Sequence, residues 1–326
     1  MNIGKVPNEE LKKIILDKIK HKRDEIILRP QIGEDCSAVD FGENVCVLTT
    51  DPITGTAHEI GRLAVQVSCN DIASAGVEPL GLMVTILAPP GTRESELELL
   101  MTDLCGTADE LNVDIMGGHT EITAAVNRFV VITTAIGKAV KGKMVTTAGA
   151  KPGDSIVMTK TAGIEGTAII ASEKEKELEE AFGIEFVNKA KEYIKSISVV
   201  KEGKIAGEFG VNAMHDVTEG GLLGAVWEVA EASGLGIRID KNKIPVAHET
   251  KMISDYYKID PLKLISSGSM VIACSDGEGL VKELAQNGIS AAIVGTFEAA
   301  QDRLIITDSS EEKIIPPGSD ELYKVI

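Results

Sequence analysis

Aromatic side chains make up only 3% of the 326 residues, so base stacking on aromatic platforms is excluded as a main binding mode. The cores must instead be built from Ala, Val, Ile, Leu and Met. Positive charge is also short. Against 50 Asp and Glu stand 33 Lys and Arg, and the formal net charge of -17 excludes broad nucleic-acid binding. An anionic nucleotide stays admissible where divalent cations and helix N-termini supply a local positive field. The five cysteines, Cys36, Cys46, Cys69, Cys105 and Cys274, are scattered singly, without zinc-ligand spacing or a C-x-x-C pair. There is no G-x-S-x-G elbow, no P-loop pattern and no repeat of 20 to 50 residues. No run reaches the roughly 18 apolar residues of a membrane span and no basic-then-apolar leader opens the chain, so a cytoplasmic protein away from membranes is expected.

What is present is ordinary globular composition, 44% hydrophobic and 25% charged, over a length that favours two domains. Leu11, Ile14, Ile15 and Ile19 fall at helical spacing within residues 8–20, and residues 59–75 and 93–111 read as further helices, the latter capped by Thr92. Residues 45–49, 80–87, 114–117 and 129–137 read as strands. A polar, Gly-rich stretch from Gly137 to Asp154 then marks a boundary, placed at 148/149. Beyond it strands are expected at 155–159, 236–240, 270–273 and 291–297, and helices at 173–181, 188–197, 222–232 and 277–286. Alternation of this kind predicts an α/β (α+β) protein of two domains, 1–148 and 149–326.

Six short motifs place acids at or near the ends of apolar segments: Gly33-Glu34-Asp35, Thr49-Thr50-Asp51, Asn70-Asp71, Gly117-Gly118-His119-Thr120-Glu121, Lys151-Pro152-Gly153-Asp154 and His215-Asp216-Val217-Thr218-Glu219-Gly220-Gly221. In α/β folds ligands gather at strand ends, and magnesium takes hard oxygen ligands, so Asp35, Asp51 and Asp71 are candidate metal ligands. Each alone is equally a turn or helix-cap residue. Gly117-Gly118 permits close backbone approach to a ligand and equally reads as a strand-ending turn. Asp216 and Glu219 precede a helix whose N-terminal amides suit phosphate, although Thr218 or Glu219 could simply cap it. Gly163-Ile164-Glu165-Gly166 is a second possible anion cradle, with Lys160 beside it. His58, seven residues after Asp51, is either a substrate-facing base or an exposed loop histidine.

Read in order, residues 32–39, Thr49-Thr50-Asp51, residues 70–79, Gly117-Gly118-His119-Thr120, Lys151-Pro152-Gly153-Asp154 and residues 213–222 resemble the aminoimidazole ribonucleotide (AIR) synthase superfamily, which includes thiamine-monophosphate kinase, selenophosphate synthetase and the hydrogenase-maturation protein HypE. The resemblance spans nearly the whole chain. It implies a homodimer in which N-terminal mixed sheets pair into a β-barrel, each followed by a C-terminal α/β domain, with ATP and Mg2+ near the interface. On that footing Asp35, Asp51, Asp71, Asp216 and Glu219 hold metal. Thr50, Asn70, Gly117, Gly118, His119, Thr120, Glu121, Lys160, Thr218, Gly220 and Gly221 line the nucleotide, and Asp51, Asp71 and His58 serve the chemistry.

Departures limit which relative to follow. Gly33-Glu34-Asp35 replaces Gly-Asp-Asp, His119 stands where the kinase and HypE pattern has Asp, Thr147 replaces a kinase-like arginine, and Ser267-Gly268-Ser269 replaces Gly-Gly-Glu-Asp. Thiamine-monophosphate kinase activity is therefore the weaker reading. His215-to-Gly221 and Ile265-Ser266-Ser267-Gly268 look most like HypE, whose C-terminal cysteine carries the group it dehydrates. The sequence ends Leu322-Tyr323-Lys324-Val325-Ile326, so chemistry on its own tail is not expected. Two readings follow: an ATP- and Mg-dependent phosphotransferase or ATP-driven cyclase/dehydratase acting on an unidentified small substrate, and a nucleotide-binding scaffold without turnover that serves a maturation complex.

Overall fold

The computed structural model describes residues 5–54 and 59–326; His58 lies outside them. Two mixed sheets organise the chain, one from each half. The first half contributes α1 (Asn8–Ile14), β1 (Ile26–Leu28), β2 (Ser37–Asp40), β3 (Asn44–Ile53), α2 (Ile60–Ser74), β4 (Pro79–Ala88), α3 (Glu94–Leu111), β5 (Asp114–Ile122) and β6 (Val130–Val140). The second contributes β7 (Ser155–Thr159), α4 (Ile164–Glu173), α5 (Glu175–Phe182), α6 (Ile184–Lys191), α7 (Val200–Phe209), β8 (Ala213–Asp216), α8 (Gly221–Ser233), β9 (Gly236–Asp240), α9 (His248–Tyr257), β10 (Met270–Cys274), α10 (Gly277–Gln286), β11 (Ala291–Glu298), β12 (Arg303–Ile306) and β13 (Glu311–Lys313). Among the described residues no helix is long and apolar enough to cross a membrane.

The first sheet runs β1-β2-β3-β6-β4-β5, antiparallel except for the β4/β5 pair. Alternation decides its faces. On β3, Val45, Val47 and Thr49 are buried, and on β6 Val131, Thr133 and Ala135 lie under the same helices. Cys46, Leu48, Thr50, Ile132, Thr134 and Ile136 are only partly covered or exposed on the opposite face. The core between sheet and helices is aliphatic, as the shortage of aromatics requires, with Val47, Ala64, Ile72, Leu82, Leu104 and Ala135 at or near zero exposure. The second sheet runs β13-β12-β9-β11-β7-β10-β8, and Phe297 is the largest side chain fully buried there.

Several elements depart from expectation. Residues 8–20 form α1 and then a single 3-10 turn at Leu16–Lys18. The cap of α3 is Arg93, through a capping box with Glu96, while Thr92 turns back to the Pro89 carbonyl. β5 runs straight through Gly117-Gly118 instead of stopping there. A Cβ on Gly118 would sit 1.7 Å from the Val84 carbonyl oxygen, so only glycine allows the two strands to lie this close. The strands β1, β2, β8, β12 and β13 are too short to show a period, and the helices α7 and α9 are absent from the expected elements.

The halves meet where α2 packs against α7 and β8. This is why α2, an interior helix, is buried almost all round. It is also where the acids collect.

Candidate functional site

Asp71 sits near the C-terminal end of α2, 4% exposed, and accepts a 2.6 Å hydrogen bond from Thr49 Oγ1 on β3. Asp51 follows two residues later on β3. It therefore shares the face of Thr49, and its charge and hydrogen bond act on Asp71. Asp35 enters from the loop before β2, with its carbonyl taking a 3.1 Å bond from the same Thr49 hydroxyl. Asp216 closes the site from the last residue of β8. It is 0% exposed, and neither carboxylate oxygen has a hydrogen-bond partner in the described structure.

Between the halves stands His215. Its Nδ1 lies 2.7 Å from Asp35 Oδ2, an ion pair without the alignment of a hydrogen bond, and its Nε2 lies 3.0 Å from Glu228 Oε2 on α8. Asp35, His215 and Asp216 present ligand atoms all within 4.8 Å of one another, the spacing a metal ion would need.

The charges deform one another's protonation. Burial, then the charges of Asp216, Asp51 and Asp35, holds the Asp71 carboxyl well above its usual range. Burial and then Asp35 push Asp216 to about 7, against the pull of His215 and Lys5. Burial also raises Glu34, to about 7, with Asp35 adding to it. Burial opposes charge on Asp35 and His215 too, but their mutual attraction prevails, lowering Asp35 and raising His215 well above the usual imidazole value. Among the described residues, four crowded carboxyl groups facing one imidazolium and one lysine ammonium are short of positive charge. Two orphaned, fully buried oxygens on Asp216 add to that deficit, because an unpaired buried charge is costly. Asp35, Asp71 and Asp216, with Asp51 beside them, fit a hard divalent cation by donor type.

One positive group reaches the same place from the chain start. Lys5 is exposed, and its ammonium donates to Thr218 Oγ1 at 3.2 Å and its backbone N–H to Glu219 Oε2 at 3.1 Å. Burial opposes the charge on that ammonium, yet Glu228, Asp35, Glu219 and Asp216 together raise its pKa. Glu219 is tied from the other side by the Tyr323 hydroxyl, 2.9 Å away.

The candidates named from sequence divide into three groups. Asp35, Asp51, Asp71, Asp216, Thr218 and Glu219 belong to one cluster across the two halves. Thr50, His119 and Glu121 lie instead on the open face of the first sheet: Thr50 pairs with Thr134 at 3.0 Å between hydroxyls, and His119 with Glu121 at 3.5 Å. Gly117, Gly118 and Thr120 belong to the exposed edge strand β5. The remaining candidates are engaged with other groups in the described structure. Both ends of the Asn70 amide bind main chain of the second half, Ile197 O at 2.7 Å and Val199 N at 2.8 Å. The Lys160 ammonium is held by Ser198 O, Gly268 O and Glu202. The amides of Gly220, Gly221, Leu223 and Gly224 at the start of α8 donate to Asp320, Thr218, Leu262 and Gly220, so that helix start has little left for an anion. The Gly163–Gly166 cradle is filled likewise by Ser266 and Ile265.

Sequence reasoning missed Thr49, Lys5, His215 and Glu228 as members. The alternation of β3 could have placed Thr49 with Asp51 and set Thr50 apart. Nothing local marks Glu228, thirteen residues beyond the histidine it meets.

Two family models match the chain, AIR synthase related protein, N-terminal domain, over residues 33–139, and AIR synthase related protein, C-terminal domain, over residues 151–307. A Methanocaldococcus jannaschii protein named for hydrogenase expression and formation is 30% identical, over 99% of this chain and 97% of its own length. Carbamoyl dehydratase HypE of Bradyrhizobium diazoefficiens is 30% identical over 76% of this chain and 72% of its own. Thiamine-monophosphate kinase of Pyrococcus horikoshii is 28% identical over 73% and 74%. Among solved structures, a HypE-HypF complex superposes with TM-score 0.78 at 22% identity, covering 94% of this chain and 99% of that one. HypE in complex with ATP superposes with TM-score 0.69 at 18% identity, covering 100% and 98%. The two-domain, two-sheet fold is therefore the AIR synthase-like one.

Proposed function

This chain belongs to the AIR synthase related protein family, and from that premise we propose that it is a HypE-like enzyme that uses ATP and Mg2+ to activate a small substrate by phosphoryl transfer to one of its oxygens. The observation that carries the reading is the pair of unpartnered oxygens on fully buried Asp216, set against Asp35 and Asp71. A chain of net charge -17 needs a cation to accept a triphosphate, and magnesium typically uses one or two carboxylates plus phosphate oxygens. Phosphoryl transfer asks for positioning and charge neutralisation more than for a covalent nucleophile, which matches a site of acids, a threonine and a lysine.

In this reading Asp35, Asp51, Asp71 and Asp216 hold magnesium, with Glu219 at the rim. Thr218 and the Lys5 ammonium meet the phosphates. The metal supplies the positive field that offsets triphosphate charge. Asp51, partly exposed on β3, would take the proton from the acceptor. The relatives' names make a carboxamide oxygen the first acceptor to try. The open face of the first sheet, with Leu48, Met83, Leu87, Ile132 and Ile136 along it, would pair with a second copy, and residues 1–148 and 149–326 would be the folding domains. A maturation partner, as in the HypE-HypF complex, completes the assembly.

ADP formation from ATP, followed with Mg2+ and with candidate acceptors added singly, tests the proposal. Turnover stimulated by a small carboxamide and abolished by EDTA is the expected result. Stimulation by thiamine monophosphate alone would move the activity to the kinase. Tight ATP binding without turnover under any condition would favour the scaffold reading.

A further inference from the structure

The acids of the site are explained by a metal, but His215 and Glu228 are not. We propose that Glu228 is a positioning residue, which through His215 orients the Asp35 carboxylate for the cation; this rests on the metal-nucleotide reading above.

Three elements converge on this contact. His215 is on β8 and Glu228 on α8, both in the second half, whereas Asp35 is on a loop of the first. The side chains of His215, Glu228 and Asp35 are 2%, 12% and 22% exposed. Both ring nitrogens of His215 face carboxylate oxygens, Nδ1 as an ion pair with Asp35 Oδ2 at 2.7 Å and Nε2 within hydrogen-bond distance of Glu228 Oε2 at 3.0 Å. With Oδ2 of Asp35 held by the ring, Oδ1 is left for a cation.

The loop bearing Asp35 is itself seated on the helix at Glu228. A Cβ on Gly33, which has φ +76°, would lie 3.1 Å from Glu228 Cβ and 3.2 Å from its carbonyl oxygen. Among the described residues Glu228 stands outside the Asp35, His215 and Asp216 grouping and touches it through the ring. It acts on the ring, and the ring on the ligand, while the charge of Glu228 also reaches the Lys5 ammonium. Outer-shell groups that hold a ligating carboxylate fix its orientation, and loss of such support typically costs about 10–100-fold in metal affinity.

Free Mn2+, counted by its electron paramagnetic resonance signal during titration of the full chain, provides a readout that needs no knowledge of the substrate. Glu228→Gln keeps size and hydrogen-bonding reach, and is expected to weaken Mn2+ binding by about tenfold or more. Glu231→Gln removes a charge from the same helix, where Glu231 pairs with Arg303 at 2.7 Å, and should leave Mn2+ affinity unchanged. His215→Asn should weaken binding similarly, and the double variant Glu228→Gln/His215→Asn no further than His215→Asn alone, because the two act in series. Thermal unfolding of each variant separates loss of fold from loss of affinity, and Glu228→Asp, which retains charge but falls short of the ring, serves as the second variant and should also bind weakly. Wild-type affinity in Glu228→Gln, or losses that add in full in the double variant, would overturn the inference. Failure of the unaltered chain to bind Mn2+ would instead overturn the metal site on which it rests.

Discussion

At Asp216 a single side chain holds most of the tension in the site. Its carboxyl is wholly buried, pushed to about 7 by burial and by Asp35, and unpartnered at both oxygens. Asp216→Asn keeps the shape and removes the charge. Without cations it should stabilise the fold by about 1–2 kcal/mol, measured by urea unfolding in EDTA, while abolishing Mn2+ binding. A destabilised variant would mean that a positive group already satisfies the carboxylate. The four acids were legible in advance because residue type and position at the ends of apolar segments both pointed to a cation. Lys160 and Asn70 were not, because what consumes them is main-chain oxygen and nitrogen: Ser198 and Gly268 for the lysine, Ile197 and Val199 for the asparagine. No pattern of residue types encodes a main-chain partner.

Among the elements, α2 carries the junction. Asn70 and Asp71 are adjacent on it, one clamping the 197–199 segment of the second half, the other entering the acidic cluster. Asn70→Ala leaves a buried carbonyl and a buried amide without partners and should cost about 2–4 kcal/mol in urea unfolding. A loss under about 0.5 kcal/mol would show that the clamp is replaceable by water. The edge strand β5 gives a second test. Gly118→Ala forces a Cβ onto the Val84 carbonyl, so β5 must shift, at a cost of about 1–3 kcal/mol seen as a lowered melting temperature. Glycine pairs usually punctuate chains, which is why this one reads as a turn. Here close strand approach, not chain reversal, demands it. The three- and four-residue strands β1, β2 and β12 were illegible for a plainer reason: so short a run shows no period.

Over the whole molecule, raised carboxyls dominate the pH response. Asp216, Glu34 and Glu165 stand at about 7 and Asp320 at about 6, each chiefly through burial, against ordinary values of 3.8 for Asp and 4.5 for Glu. A raised folded-state value means that the native chain holds the proton more tightly than the unfolded chain. Its stability contribution is complete below the unfolded value and is lost as pH rises through the folded one. His215, also raised, has the same sign. Asp35, lowered, contributes above its unfolded value and is lost only in acid, outside this window. The melting temperature in EDTA should therefore fall between about pH 5 and pH 8, and saturating Mg2+ should flatten the fall by stabilising the deprotonated site. A cation-free melting temperature that rises over that range would contradict the assignment of shifted groups.

The claim on which the rest depends is that the acids drawn from both halves form one cation-dependent nucleotide site. Calorimetric titration of ATP into the unaltered chain and into Asp51→Asn, each with Mg2+ and with EDTA, measures it. The account predicts binding by the unaltered chain only with Mg2+, weakened at least about tenfold in Asp51→Asn, or roughly 1.4 kcal/mol. Equal affinity in EDTA, or an unchanged Asp51→Asn, would contradict it.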